Sequence, residues 1–460
     1  MKKSTKILII TLSCLLIAGG AGAFALFSGF FEQATFEKIT DNELFKELPL
    51  LENESAVYNE PEDVGAGNTL LWIHNISYND YTAYLKLLEK NGYVKFADNG
   101  EGGLEGYVYM AHYQKDDLTF TVTYYMRLYD VSINACRNAV LSDRMIFRDD
   151  YAAGNIPGAK TTLTVLELNK AGNSFVFQLK NGHYIVNDGG VAGEIFYLLD
   201  FLEEHAPGGE KPVVEAWFIS HAHQDHMGVL RALLVRPELA QRISVEGLYF
   251  TSASDAANEE RRGSEMMGAL TALVLNSVAA MKTSDGSATP LYRMHAGERY
   301  YFSDITVDVV FEQSVLDYRE WTTSNAQSTT LMYTVEGQKV YIPADTDYEC
   351  QLKTLDIYDD KYFDLAIYLT PHHGGNVYDR ITDHLTYKTV VDSGRAFSDS
   401  ASGLLSRFEQ QKHLISRSEE HLAWGEGGLI FTFPYSVGEF ERLPLVDWTI
   451  YQADMDAILK

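Results

Sequence analysis

Ser220-His221-Ala222-His223-Gln224-Asp225-His226-Met227-Gly228 is the stretch on which the reading of this chain turns. Four of the six residues from His221 to His226 carry an imidazole or a carboxylate, a density that packing does not require and that suits zinc. The run Pro212 to Ser220 before it is short and apolar, as in a buried strand. If the backbone stays extended through His221 and His223, their side chains share one face, because strand positions i and i+2 point the same way. Both can then grip one ion. A helix is expected over Gly228 to Leu234, and Asp225 and His226 sit in its first turn, within reach of a neighbouring ion.

Outward from this motif, strands and helices alternate from about residue 160 to 435. Leu163 to Leu168, Phe175 to Leu179 and His183 to Val186 read as hairpin strands, the last leading into Asn187-Asp188-Gly189-Gly190. Ile195 to Leu202 has helical spacing. Val340 to Pro343 is a strand that ends at Ala344-Asp345, and Asp364 to Leu369 is another that runs into Pro371-His372-His373-Gly374. This alternation predicts sheets covered by helices.

The H-x-H-x-D-H motif after an apolar strand, followed in order by Asp345 and His372-His373-Gly374, resembles the signature of the metallo-β-lactamase superfamily. The resemblance implies an α/β fold, a four-layer αβ/βα sandwich with a metal site at the sheet edges, here preceded by a small α+β domain and an N-terminal segment. Phe175 to Gly190, Asn325 to Ser328 and the His-His-Gly motif look most like the extracytoplasmic domain of the ComEC-type competence proteins. By this resemblance His221 and His223 hold a first zinc, Asp225, His226 and His372 a second, and Asp345 bridges them. Many members add a third histidine to the first zinc between the leading motif and the bridging aspartate. This chain has only His295 there, which reads as a turn residue, and Asp255 is a further substitute. Neighbouring side chains that leave a strand diverge, so one of the paired histidines is expected to coordinate. His372 is the choice, with His373 beside the substrate as a proton donor. Asp347 would orient a histidine or cap the helix that begins near Tyr348, Asp188 would support a ligand, and Asn325 and Ser328 would supply hydrogen bonds.

Two such ions would lower the pKa of a bound water from 15.7 towards about 7, so hydrolysis is the implied chemistry, with Asp225 and His373 as catalytic groups. Manganese or iron would also suit a His/Asp set. A phosphodiester is the favoured substrate; a lactone or amide is the alternative, and a surface-anchored binding module with a structural metal site is a reading from another class.

Of 460 residues, 46% are hydrophobic and 22% charged, which excludes a disordered, collagen-like or multi-span membrane chain. The 37 Lys+Arg against 64 Asp+Glu leave a net charge of -27, so broad attraction to nucleic-acid backbones is not expected. Arg231, Arg236, Arg242, Arg261 and Arg262 follow the metal motif and offer a local basic patch; a solvated helix surface is the simpler reading. A small phosphodiester, or one in a cell-envelope polymer, suits the charge better.

Residues 1–31 are a separate device. Lys2, Lys3 and Lys6 precede the uncharged run from Ile7 to Phe31, which as a helix spans about 37 Å against a hydrocarbon core of about 30 Å. Positive charge on that end keeps it in the cytoplasm and puts the remainder outside. A membrane anchor is favoured, while Ala21-Gly22-Ala23 keeps a cleaved signal peptide and a secreted product open. Residues 36–150 read as a small α+β domain, with Phe120, Val122 and Tyr124 alternating with Thr119, Thr121 and Thr123 as in a half-buried hairpin strand. Its His74 and His112 read as ordinary core or surface histidines. Residues 436–460 read as a tail.

Overall fold

The computed structural model describes residues 37–51, 53–260, 264–392, 411–423, 425 and 427–452. The N-terminal run, Arg261, Arg262 and the end of the tail lie outside them. Among the described residues no helix is long and apolar enough to cross a membrane.

The first unit is one antiparallel sheet in the order Val57–Tyr58, Asn68–His74, Asp130–Arg137, Leu118–Tyr125, Val108–Lys115, Val94–Asp98, with Glu62–Gly65 also on Asn68–His74. Helix Tyr78–Lys90 begins at a capping box, in which the Ser77 side chain accepts from the Asp80 amide and the Asp80 side chain accepts from the Ser77 amide. It lays Tyr81, Tyr84 and Leu88 on the sheet against Leu71, Ile73, Phe120 and Val122. Strand Leu118–Tyr125 differs from its expected half-burial, since all eight residues are buried. Its threonine side faces the second unit, where Thr123 Oγ1 donates to the Ala296 carbonyl at 3.4 Å.

The second unit holds two sheets face to face. One runs Leu291–Tyr292, Leu248–Phe250, Val213–Ile219, Tyr184–Asp188, Ser174–Gln178, Thr162–Val165, Leu429–Thr432, Phe440–Arg442; the other runs Arg299–Phe302, Ile305–Phe311, Thr330–Val335, Gln338–Ile342, Asp364–Leu369, Thr386–Val391, Glu420–Leu422. Phe175, Phe177, Ile185 and Phe218 of the first meet Val307, Leu331, Tyr333 and Ile367 of the second. Helices Ile195–His205, Gln224–Val235 and Ser264–Ser277 cover the outer face of one sheet, burying Leu199, Leu230 and Leu270 against Val186, Trp217 and Ile219. Helix Tyr348–Ile357 covers the other, with Cys350 and Ile357 in one cluster with Tyr341 and Tyr368. The result is the expected helix–sheet–sheet–helix layering. The boundary expected at 435 falls inside a hairpin, because Phe440–Arg442 pairs with Leu429–Thr432.

Four loops meet at the carboxyl ends of parallel strands, two from each sheet. Val213–Ile219 lies parallel to Tyr184–Asp188, and Gln338–Ile342 parallel to Asp364–Leu369. Such ends are where open α/β sheets leave a crevice.

Candidate metal centre

The first of these loops runs from Ser220 into helix Gln224–Val235, with His223 as its N-cap. Gly228 lets that helix come close: a Cβ there would lie 2.5 Å from the Ala192 nitrogen and 2.8 Å from the Gly190 carbonyl oxygen. Asp225 and His226 therefore stand in the first turn and face the loop that carries Asp345.

Asp345 is the hub. Its Oδ2 is 3.1 Å from His226 Nε2, 3.5 Å from His373 Nε2, 3.8 Å from His372 Nε2 and 4.0 Å from His221 Nε2. Two ligand-like groups share it: Asp225, His226, Asp345 and His373 form one, His221, His223 and Asp345 the other. Within each, one ligand atom per residue lies within 4.8 Å of all the rest. His221, His226, Asp345 and His373 are no more than 1% exposed.

Asp188 and Ser220 aim the rings. Asp188 Oδ2 accepts from His226 Nδ1 at 2.9 Å and from Ser220 Oγ at 2.8 Å, and Ser220 Oγ lies 3.0 Å from His221 Nδ1. Because a carboxylate can only accept, His226 holds a proton on Nδ1, and Nε2 is the atom it turns inward, as metal-binding histidines do. His223 Nδ1 is 2.8 Å from His221 Nε2, and its Nε2 is 2.9 Å from Ser324 Oγ.

The donor set fits a cation. Both oxygens of Asp345, Asp225 Oδ2 and His226 Nε2 are buried without a hydrogen bond. Carboxylates so placed are costly unless a positive charge meets them, and an imidazole–carboxylate set suits zinc. Burial pushes the His221 imidazole well below its ordinary value of 6.5, with His226 and His223 acting in the same direction. Burial also opposes charge on His226, but Asp345, Asp188 and Asp225 outweigh it and hold that ring well above 6.5. The carboxylates thus draw positive charge into the site.

The paired histidines differ from expectation. His372 (φ 50°, ψ 50°) and His373 (φ 52°, ψ 34°) are both left-handed, and Ala344 before Asp345 shares that region at φ 52°. Each such non-glycine residue costs about 1–3 kcal/mol. Alternation of side chains holds for extended backbone only, and here the chain has already left it, so both rings turn towards Asp345. His373 is the ring that enters the ligand group, with Nε2 3.3 Å from Asp225 Oδ2. The His372 side chain, expected to coordinate, is 27% exposed and stands at the rim, its Nε2 3.4 Å from Asn325 Nδ2. His373, and not His372, thus belongs to the ligand-like group.

Other candidates are placed as follows. Asp347 stands at the N-cap of helix Tyr348–Ile357, but its side chain makes no capping hydrogen bond there; its Oδ2 accepts from Thr323 N at 3.1 Å and Thr323 Oγ1 at 2.8 Å, which pins the loop that brings Ser324 to His223. Ser328 is fully buried, and its Oγ makes no hydrogen bond. Asp255 is exposed and belongs to neither ligand group. His295 lies in a different cluster with His112 and Glu298. Ser220 and Ser324 had no sequence signal beyond their neighbours, since a lone serine marks nothing until the fold sets it against a ring.

The family model described as Metallo-beta-lactamase superfamily matches residues 169–382. No curated protein matches the chain. Among solved structures, a metallo-beta-lactamase superfamily protein from Thermotoga maritima is 10% identical, with 50% of this chain and 74% of that one covered and a TM-score of 0.24. A metallo beta lactamase from Hirschia baltica is 13% identical, with 38% and 58% covered and a TM-score of 0.21.

Proposed function

We propose that this protein, whose residues 169–382 match the metallo-β-lactamase superfamily model, is a hydrolase that holds two divalent ions, zinc by donor type, and cleaves a phosphodiester outside the cytoplasm. One observation carries the reading: the buried carboxylate of Asp345 belongs to both ligand groups. His221 and His223 would hold one ion and Asp225, His226 and His373 the other, with Asp345 between. Such a pair supplies hydroxide at neutral pH from water whose pKa falls from 15.7 towards about 7.

The chain's own residues do the remainder. Asp188 and Ser220 keep His226 and His221 aimed inward. Asp347 fixes the 322–325 loop at the rim, and Asn325 steadies His372, which is placed to give a proton from its imidazole to the leaving oxygen. Arg242, part of the sequence-local basic cluster, is committed to Asp200 at 2.7 Å and Glu203 at 2.6 Å. That commitment and the net charge of -27 favour a small phosphodiester, or one in an envelope polymer, over extended nucleic acid. The uncharged run of residues 7–31 supports a membrane-anchored or secreted location.

The test is zinc content and turnover of a generic phosphodiester and a lactone. Asp225→Ala and His373→Ala are expected to lose zinc and nearly all turnover; His372→Ala is expected to keep zinc and lose about 100- to 10,000-fold in rate. Zinc loss from His372→Ala equal to that from His373→Ala would return His372 to the ligand set. Faster cleavage of the lactone would replace the phosphodiester as substrate class.

A further inference from the structure

A second buried group of imidazoles and a carboxylate lies away from Asp345, at the seam between the two units. His112 comes from strand Val108–Lys115 of the first unit, and His295 and Glu298 from the turn before strand Arg299–Phe302 of the second. One ligand atom from each lies within 4.8 Å of the others. The exposures are 0% for His112, 8% for His295 and 1% for Glu298.

Each ring turns one nitrogen to the carboxylate. His112 Nδ1 is hydrogen-bonded to Thr121 Oγ1 at 2.9 Å, which leaves Nε2 facing Glu298 Oε1 at 3.0 Å, and His295 presents Nδ1 to the same oxygen at 2.9 Å. His112 Nε2 is buried and makes no hydrogen bond despite that approach. A purely hydrogen-bonded cluster would leave this nitrogen as a loss of about 1–3 kcal/mol. The same signature, a close nitrogen–oxygen approach with no hydrogen bond, marks His226 and Asp345. Around a tetrahedral zinc with bonds near 2.0–2.1 Å, neighbouring ligand atoms lie about 3.3 Å apart, close to the approach seen here.

The surroundings are rigid. Glu298 Oε2 accepts from Tyr300 Oη and from the His295 amide, the latter at 2.9 Å. Asn99 Nδ2 donates to the Gly297 carbonyl at 2.9 Å, and a Cβ on Gly297 would lie 2.8 Å from Val108 Cγ1. The turn is thus pressed onto the first unit's sheet. We infer that His112, His295 and Glu298 form a third metal site, a structural zinc site with a trapped water completing the tetrahedron, that bolts the first unit to the second. It lies outside both groups that share Asp345 and stands or falls apart from the proposed catalysis.

The experiment is zinc bound per full-length chain after dialysis, measured by elemental analysis. A chain disabled at the centre by Asp225→Asn with Asp345→Asn is expected to retain one zinc, and adding His112→Gln or Glu298→Gln to lose it. In the centre-disabled chain, zinc is expected to raise the thermal midpoint only while His112 and Glu298 are present. A folded, centre-disabled chain that binds no zinc overturns the inference, as does undiminished zinc after His112→Gln. Should the substitutions prevent folding, anomalous scattering at the zinc edge from crystals of the unaltered protein decides: a peak between the three side chains supports the site, and its absence ends it. Absence of phosphodiester turnover in the unaltered chain would bear on the proposed function alone.

Discussion

Asp188 belongs to neither ligand group, yet it sets how two of the ligands present themselves. Its left-handed backbone (φ 57°) ends a buried strand and turns the carboxylate onto His226 Nδ1 and both the amide and the hydroxyl of Ser220. Asp188→Asn would replace an acceptor with an amide that can donate, freeing His226 to reverse its tautomer. Zinc affinity is expected to fall about 10- to 100-fold with the far-UV spectrum unchanged, as read by competition with a chromophoric chelator. At this scale the motif from His221 to His226 was legible because four ligand-type residues crowd one short stretch. The order of His372 and His373 was not, because it depends on two left-handed dihedrals that the residue types disfavour.

Helix Gln224–Val235 owes its place to Gly228, where a side chain would meet backbone that cannot step aside. Gly228→Ala is expected to destabilise by about 1–3 kcal/mol and to weaken zinc binding together with stability, as measured by denaturant titration with and without zinc. Strand Val213–Ile219 contributes a different control through Glu215, which lies 2.6 Å from Asn181 Nδ2, 2.9 Å from His183 Nδ1 and 3.0 Å from an Arg144 guanidinium nitrogen. Burial alone would raise its pKa, but His183, Arg144 and Asn181 outweigh burial and hold it below its ordinary 4.5. A carboxylate lowered in the folded state stabilises above its unfolded pKa and loses that contribution as pH falls. The thermal midpoint of Glu215→Gln is therefore expected to trail the unaltered protein at pH 7, with the gap closing below pH 4.5. These strands were readable from their apolar runs, whereas the partners of Glu215 come from two separate segments, the turn at Asn181–His183 and the stretch at Arg144.

Across the whole molecule, the two units share cores. Met110 and Met145 of the first unit lie in one cluster with Phe218 and Val307, and Leu104, Val108 and Tyr125 in another with Val310, Phe311 and Tyr358. Arg293 crosses the seam, donating from its guanidinium to the Val64 carbonyl at 3.1 Å. Removing residues 37–150 would uncover these apolar side chains, so the remainder is expected to be recovered as aggregate, checked by soluble yield beside the intact chain. The intimacy of these contacts was not legible in the sequence, since Phe120 alternating with threonine looks the same whether the threonines meet water or a second unit.

The sequence by itself determined the alternation of strands and helices in the second unit, the strand that precedes the histidine motif and the residue types crowded after it, because these follow from local periodicity and residue identity. The tertiary structure alone decided that His373 enters the ligand group, that Ser324 meets His223, and that His112 joins His295 and Glu298. Those pairings depend on backbone dihedrals and on contacts between segments far apart in the chain, which no local pattern encodes.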